Sequence, residues 1–247
     1  MAKYLTIPVA DGDSLANAKI HNSEALSGLT NGTSYQCFRL SEASTAFTPA
    51  SAGTDWWTTG ALVDIDYEND RAYVNGTAYA SVAAARTAGA IVVNGAGVDT
   101  VPITPGASYS MAFTGNVISA SATQCAVGVD DGTAANWAFL GATNSRGPSA
   151  GSFVAGSTVI NAYSSSLANG TAIRSVMRLK ASGYFGQTNG AAFGSGGAMS
   201  GATIPAVTAF VIKNRSDGAR PWAGTLRRVC LVNADLDDAA VAALLAG

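Results

Sequence analysis

The sequence predicts a mostly β protein: a β-sandwich with a short C-terminal helix and a small β-rich segment at its N-terminus. Two observations carry this. From Ile91 to about Ile212 short apolar or alternating runs recur between Gly, Asn and Pro residues, with turns about every eight to twelve residues, the cadence of a sandwich. The composition agrees: 28 glycines with abundant Ser, Thr and Asn make a turn-rich chain, and a 48% apolar share, much of it Ala, is enough for a core. At 247 residues one large sandwich, or a sandwich with a small satellite, fits the length.

Taken in order, Lys3 to Val9 alternates as a strand, placed at a sheet edge by Pro8. A second strand runs from about Ser34 to Leu40, after the Asn31-Gly32 turn signal. Ser41 to Gly60 has the composition of a linker and ends on Trp56-Trp57, so the domain boundary is placed near Gly53. This divides the chain into an attachment segment with its linker, residues 1–53, and the sandwich, 54–247.

Ala61 to Tyr67 alternates as a strand, Glu68 to Arg71 turns, and Ala72 to Val74 begins a second strand that stops at Asn75-Gly76. A short helix follows, with Ser81 as N-cap and Gly89 as stop. The runs that follow are Ile91–Val93, Tyr109–Phe113, Val117–Ala122, Gln124–Val129, Trp137–Gly141, Ser152–Ala155, Val159–Ser164, Thr171–Leu179, Ala181–Gln187 and Val207–Lys213. Thr225 to Val232 is the final strand, and Asp235 to Ala246 a helix capped by Asn233 or Asp235, with Asp237 and Asp238 at the positive end of its dipole.

Only 12% of residues are charged, about half the usual share, and the net charge is −2. The 14 basic residues are scattered, so the clustered footprint of a nucleic-acid-binding protein is missing. No stretch has the length and apolarity of a signal peptide or membrane helix, so membrane insertion is not expected. Cys37, Cys125 and Cys230 are odd in number and widely spaced, and read as small buried hydrophobes.

Two blocks carry a resemblance. Trp222 to Leu245 resembles the ending of laminin-G-like, concanavalin A-like jelly-roll domains: Gly224, Leu226, Val229, Leu231 and Leu236 fall on the pattern, Asp237 stands where Ser is common, and Val241 and Leu244 continue the helix's apolar face. Leu62 to Ala85 is similar to the opening of such domains in tailed-phage and prophage virion proteins. The resemblance implies a concanavalin-like sandwich and a non-catalytic appendage of a phage-like or gene-transfer particle, a head spike or tail fibre. It would be made in the bacterial cytoplasm and displayed on the virion surface. Its implied partners are other virion proteins, further copies of itself as a homo-oligomer, and host cell-surface polysaccharide.

Candidate sites follow from residue chemistry. Asp64, Asp66 and Glu68 alternate along one strand, so their side chains share a face. Retaining glycosidases need two carboxyls about 5 Å apart, and alternate strand residues lie about 6.5 to 7 Å apart at Cα. The Glu-x-Asp-x-x-Glu order of concanavalin-like glucanases is missing, so no catalytic residue is assigned and the trio is read as a solvated or contact face. Asp130, Asp131 and Asn136, around Gly132, offer the oxygens that calcium favours, but also make an ordinary Asp-Gly turn. Trp137 and Trp222 could stack on sugar rings, as could Trp56 and Trp57. The carbohydrate-binding candidates are therefore Trp137, Trp222, Asp130, Asp131 and Asn136. His21, the sole histidine, is read as an exposed turn residue, so no His-based zinc site can form. The glycine-rich stretch from Gly186 to Gly197 lacks the Lys-Ser/Thr of a phosphate loop and reads as a hairpin loop. Three functions stay open: an adsorption module, a polysaccharide-cleaving enzyme and an architectural base for a capsid or tail.

Overall fold

A computed structural model describes residues 3–8, 19–22, 35–40, 47–49, 61–104, 106–180, 183–192 and 204–246. The chain separates into two compact units, Met1–Asp55 and Trp56–Gly247. Trp56 and Trp57 lie outside the described residues.

In the first unit, β1 (Lys3–Pro8) pairs with β2 (Lys19–Asn22) on one side and β3 (Tyr35–Leu40) on the other, and β4 (Phe47–Pro49) adds to β3. Three readings change here. β1, expected at an edge from Pro8, lies between β2 and β3; Pro8 is tolerated because it stands past the end of the β2 pairing and meets β3 alone. His21 stands in β2 opposite Tyr4, not in a turn. The stretch read as linker contributes β4, because Phe47-Thr-Pro supplies too short a run to register as a strand until β3 offers it a partner.

The second unit is a sandwich of two antiparallel sheets. Its strands are β5 (Ala61–Asp66), β6 (Arg71–Val74), β7 (Thr77–Tyr79), β8 (Val92–Val93), β9 (Asp99–Pro102), β10 (Ser108–Asn116), β11 (Gln124–Asp130), β12 (Trp137–Ala142), β13 (Pro148–Val154), β14 (Ser157–Tyr163), β15 (Ala172–Lys180), β16 (Gly183–Thr188), β17 (Ala191–Ala192), β18 (Ala209–Ile212) and β19 (Leu226–Val232). One sheet has the order β17-β16-β15-β10-β19-β5-β6-β7, the other β14-β13-β12-β11-β18-β9-β8. β10 and β19 sit at the centre of the first sheet, and β11 and β18 at the heart of the second. The chain therefore passes repeatedly from one sheet to the other, which is the mostly β, concanavalin-like jelly roll expected.

Alternation sorts the side chains. Val63 and Ile65 of β5, Tyr109, Met111 and Phe113 of β10, Val127 and Val129 of β11, Leu140 of β12 and Phe210 and Ile212 of β18 fill the space between the sheets, all fully buried. Each burial of this size stabilises by about 1.5 to 3 kcal/mol. Trp222 packs edge-on against Phe113 in the same core, with ring centroids 5.3 Å apart.

α1 (Val82–Thr87) is capped as expected by Ser81, whose Oγ accepts from Ala84 N at 3.0 Å; Asp70 Oδ1 accepts from Val82 N as well. α2 (Asp238–Ala246) starts later than predicted. Asp237 Oδ1 accepts from Ala240 N at 2.7 Å, while Asp235 is drawn off to Lys180 and Asn233 accepts from Gly106 N. α2 lies over the outer face of the eight-stranded sheet, where Val241 packs with Ala112, Val176, Cys230 and Val232.

Residues 117–122, expected as a strand, are the crossover from β10 to β11. Val117 is buried and its N–H goes to Thr171 O, while Gln124 Nε2 donates to Ile118 O, so the apolar pattern marks a packed connection. β7 and β9 were not expected, because Thr77-Ala-Tyr and Asp99-Thr-Val-Pro are too short to alternate visibly.

Close strand contact leaves no room for a side chain at Gly141 of β12: a Cβ there would lie 2.0 Å from Gln124 O. Gly141→Ala should therefore lower unfolding free energy by about 2 to 3 kcal/mol, read as a lower urea midpoint with an unchanged slope.

Candidate functional site

The outer face of the seven-stranded sheet carries a second, smaller apolar cluster. Alternation along β12, β13 and β18 turns Trp137, Phe139, Phe153 and Val211 away from the main core, and an irregularity in β11 between Cys125 and Val127 sends Cys125 to the same side, where they gather with Val98. Trp137 stacks on Phe139 (4.7 Å, 15°) and on Phe153, its direct cross-strand partner (4.8 Å, 7°). Gly151 of β13 makes this possible, since a Cβ at that position would lie 2.3 Å from the Phe139 ring.

A polar strap closes over part of this face. After β18, residues 213–222 double back across the sheet, turning at Lys213 with a φ of +64° and at Gly218 with +79°. Arg215 sets its guanidinium 4.9 Å from the centre of the Trp137 ring and pairs with Asp217, with Nε donating to Oδ1 at 2.8 Å. That hydrogen bond holds the Asp217 carboxyl below its usual value and raises the Arg215 guanidinium above its own. Cys125 lies below, and burial pushes its thiol well above the ordinary range.

Asp130, at the end of β11 and fully buried, latches the strap. Its carboxylate accepts from Ser216 N at 3.1 Å, Ser216 Oγ at 2.6 Å and Gly132 N at 3.1 Å. Ser216 O in turn accepts from Asn94 Nδ2 at 2.8 Å, and Asn94 Oδ1 accepts from Ala96 N and Val98 N, so the turn between β8 and β9 joins the assembly. The turn between β11 and β12 is braced by Asp131, which accepts from Thr133 N (2.9 Å), Thr133 Oγ1 (2.6 Å) and Asn136 Nδ2 (2.8 Å). Burial alone would raise the Asp131 carboxyl; the bonds from Thr133 and Asn136 outweigh it and hold the group below its usual value. Asn136 Oδ1 accepts from Ala155 N, and Gly156 N donates to Ala135 O, which ties in the turn between β13 and β14. Four turns thus form one polar surface tied by hydrogen bonds, with Thr133 and Asp217 exposed on it and Arg215 largely buried among them.

The structure brings Asp130, Asp131, Asn136 and Trp137 together at this surface and leaves Trp222 outside it. Trp137 is 3% exposed, with neighbours on its ring faces. Trp222, 7% exposed, donates from Nε1 to Thr225 O and lies near Gln124, the far end of β11, about 20 Å of strand from Asp130. Among the described residues no group of three or more His, Cys, Asp and Glu could hold a metal ion. Asp130 and Asp131 direct their carboxylates to protein donors. Ser216, Arg215, Asp217 and Asn94 were missed in the sequence. Asn214-Arg-Ser-Asp-Gly218 is a visible turn signal, but nothing local tells that it folds back over Trp137.

Asp64 and Asp66 lie on the outer face of the other sheet. Asp64 is buried and receives Arg228 in a fork, Nε at 2.9 Å and Nη2 at 2.6 Å. Burial raises its carboxyl above the usual value, against the lowering effect of Arg228. Asp66 accepts from Asn69 N, Asn69 Nδ2 and Arg71 Nε; burial opposes ionisation, but the Asn69 bonds prevail and its carboxyl is lowered. Register places Arg71, Asp66, Arg228, Thr114 and Arg174 in one row across five strands, a ladder of alternating partners. Both carboxylates are engaged by this ladder, and Glu68 stands exposed in the turn beyond it.

Two outcomes follow. Ser216→Ala leaves a buried carboxylate short of donors, so it should cost about 1 to 3 kcal/mol and speed the reaction of Cys125 with a thiol reagent. Asp66, lowered in the fold, binds its proton less readily than in the unfolded chain. Its stabilisation is complete above the unfolded value near about pH 4 and is lost as pH falls through the lower folded value. Asp64, raised, has the opposite sign: stability declines as pH rises from the unfolded to the folded value. Asp66→Asn should therefore flatten the loss of stability on acidification from pH 5 to 3, measured by urea midpoints.

No protein-family model matches the chain, and no curated protein matches it significantly. Solved structures do. A Trypanosoma rangeli sialidase aligns over 80% of this chain and 34% of its own, with a TM-score of 0.52 and 13% identity. The same sialidase in complex with sialic acid aligns over 81% and 35%, with 0.51 and 16%. The CBM40 of Ruminococcus gnavus IT-sialidase, bound to α2,3 sialyllactose, covers 57% of this chain and 82% of that one, with 0.47 and 14%. The chain spans about a third of the length of the sialidases it matches. At these identities the likeness to the sialidases is one of fold: the second unit is a β-sandwich of the concanavalin-like class.

Proposed function

We propose that this protein is a non-catalytic glycan-binding module, displayed as an appendage of a phage-like particle and used to attach that particle to host surface polysaccharide. The observation that carries the glycan reading is the surface built around Asp130, Asp131 and Asn136. Its turns are locked by hydrogen bonds before any ligand arrives, so little ordering cost remains to be met on binding. Its exposed groups, Thr133 and Asp217, keep acceptor lone pairs on their hydroxyl and carboxylate oxygens, beyond the bonds they make with Asp131, Ala135 and Arg215, to which a polyhydroxylated ligand can donate. A sparsely charged exterior suits a neutral or weakly acidic polymer better than a strongly charged one. The appendage role rests on the resemblance of residues 62–85 and 222–245 to virion jelly rolls.

The non-catalytic reading is supported by Asp64 and Asp66. A retaining pair needs one carboxyl free to attack and one free to give a proton, and here both are bound to Arg228, Arg71 and Asn69.

The test is a glycan-array screen of the full chain with bacterial envelope polysaccharides and sialylated glycans, with and without EDTA, followed by sizing of any bound polymer. Retention without shortening is the expected result. Thr133→Ala with Asp217→Ala should weaken binding about tenfold or more, from the loss of roughly 1 kcal/mol per hydrogen bond. Shortening of the polymer that Asp64→Asn abolishes would replace this reading with that of an enzyme.

A further inference from the structure

Among the described residues the seven-stranded sheet ends on β14 at one side and on β8 at the other. An edge strand presents unpaired N–H and C=O groups, and proteins commonly guard it with lysine, proline or brevity. β8 is guarded by its length of two residues. β14, Ser157-Thr-Val-Ile-Asn-Ala-Tyr163, runs for seven residues with no charge and no proline. Its sole interruption is a bulge: Ser152 pairs with Ile160 and Phe153 with Thr158, which leaves Val159 as the extra residue. From Ile160 onward the strand is regular.

The hydrogen-bonding direction of that stretch can be assigned. Ser164 N donates to Pro148 O at 2.9 Å, and Ala162 stands opposite Ala150 in the same register. Antiparallel alternation then turns the backbone groups of Ala162 and Ser164 toward β13 and those of Asn161 and Tyr163 toward the open side. Two outward residues flanking one inward residue are self-complementary under a two-fold axis. With Ala162 facing Ala162 of a second copy, Asn161 of each chain stands opposite Tyr163 of the other, and each such pair can exchange both of its hydrogen bonds.

The side chains agree with this register. Ile160 and Ala162 point into the core, so Asn161 and Tyr163 share the outer face. Tyr163 is 57% exposed, the most exposed large apolar side chain among the described residues. In the paired state its ring lies beside Asn161 of the second copy, a cross-strand contact that covers it. No charge in the strand is brought opposite a like charge.

We propose that β14 is a self-pairing edge, joining two copies of this chain in one continuous antiparallel sheet about a two-fold axis at Ala162. The occupant is a second copy because the outward groups are arranged to satisfy their own image. The contact is short, so the dimer dissociates on dilution, and it would give two glycan-binding surfaces to one unit.

The test is light scattering of the full chain over a concentration series, beside amide hydrogen exchange. The wild-type mass should rise with concentration from 24.8 kDa toward twice that value, and exchange at Asn161 and Tyr163 should slow with it while Ala162 stays unchanged. Asn161→Pro removes an N–H that β13 does not use and should remain at 24.8 kDa with an unchanged circular dichroism spectrum. A wild-type chain that is monomeric at all concentrations overturns the proposal, as does a trimer, or a folded Asn161→Pro variant that keeps the wild-type mass. If that variant does not fold, the exchange data decide: equal rates at Asn161 and Tyr163 in dilute and concentrated samples overturn it.

Discussion

The buried carboxylate of Asp130 is the contact on which the rest of the candidate site depends. A charge without solvent must be met by donors, and here Ser216 and Gly132 meet it. Ser216 belongs to the strap between β18 and β19, so satisfying Asp130 also draws that strap across the outer face of the seven-stranded sheet. Arg215 is thereby set against Trp137, and Asn94 is bound from the turn between β8 and β9.

This explains how the sandwich buries both faces of one sheet. The inner face is covered by the other sheet, as in any sandwich. The outer face would leave Trp137, Phe139 and Val211 in water, and an exposed apolar patch of that kind invites association. Stacking the rings on one another and laying a polar strap beside them covers the patch from within the chain. The eight-stranded sheet solves the same problem differently: α2 covers Ala112, Val176 and Cys230, and a ladder of arginines and aspartates crosses the rest. Apolar cover and ion pairing thus divide one surface between them.

The placement of these devices bears on function. Asp64 and Asp66 belong to the ladder, where charge pairing organises the strands β5, β6 and β19. The polar turns around Asp131 and Asn136 belong to the free rim, where Thr133 and Asp217, held by Asp131 and Arg215, stand in solvent. A rim rigid enough to present hydroxyl and carboxylate groups in fixed positions is the better setting for recognition, and the ladder the better setting for structure.

By itself the sequence determined the class of fold, most of the strands and the first helix cap, because these rest on local rules. Alternation at period two is written into runs such as Leu62–Asp66 and Ala172–Lys180, and Ser81 caps a helix through its own neighbouring N–H groups. It also put Asp130, Asp131, Asn136 and Trp137 in one neighbourhood, because they are neighbours in the chain. Only the tertiary structure decided that Trp137 is enclosed, that Trp222 belongs to the core, that residues 117–122 cross between sheets and that Asp235 serves Lys180 while Asp237 caps α2. Each of these turns on a partner far away in sequence: Ser216 is 86 residues from Asp130, and Arg228 is 164 from Asp64. Local pattern says which side of a strand a residue faces, but what covers that side is fixed by the packing of distant segments, and burial, pairing and exposure follow from it.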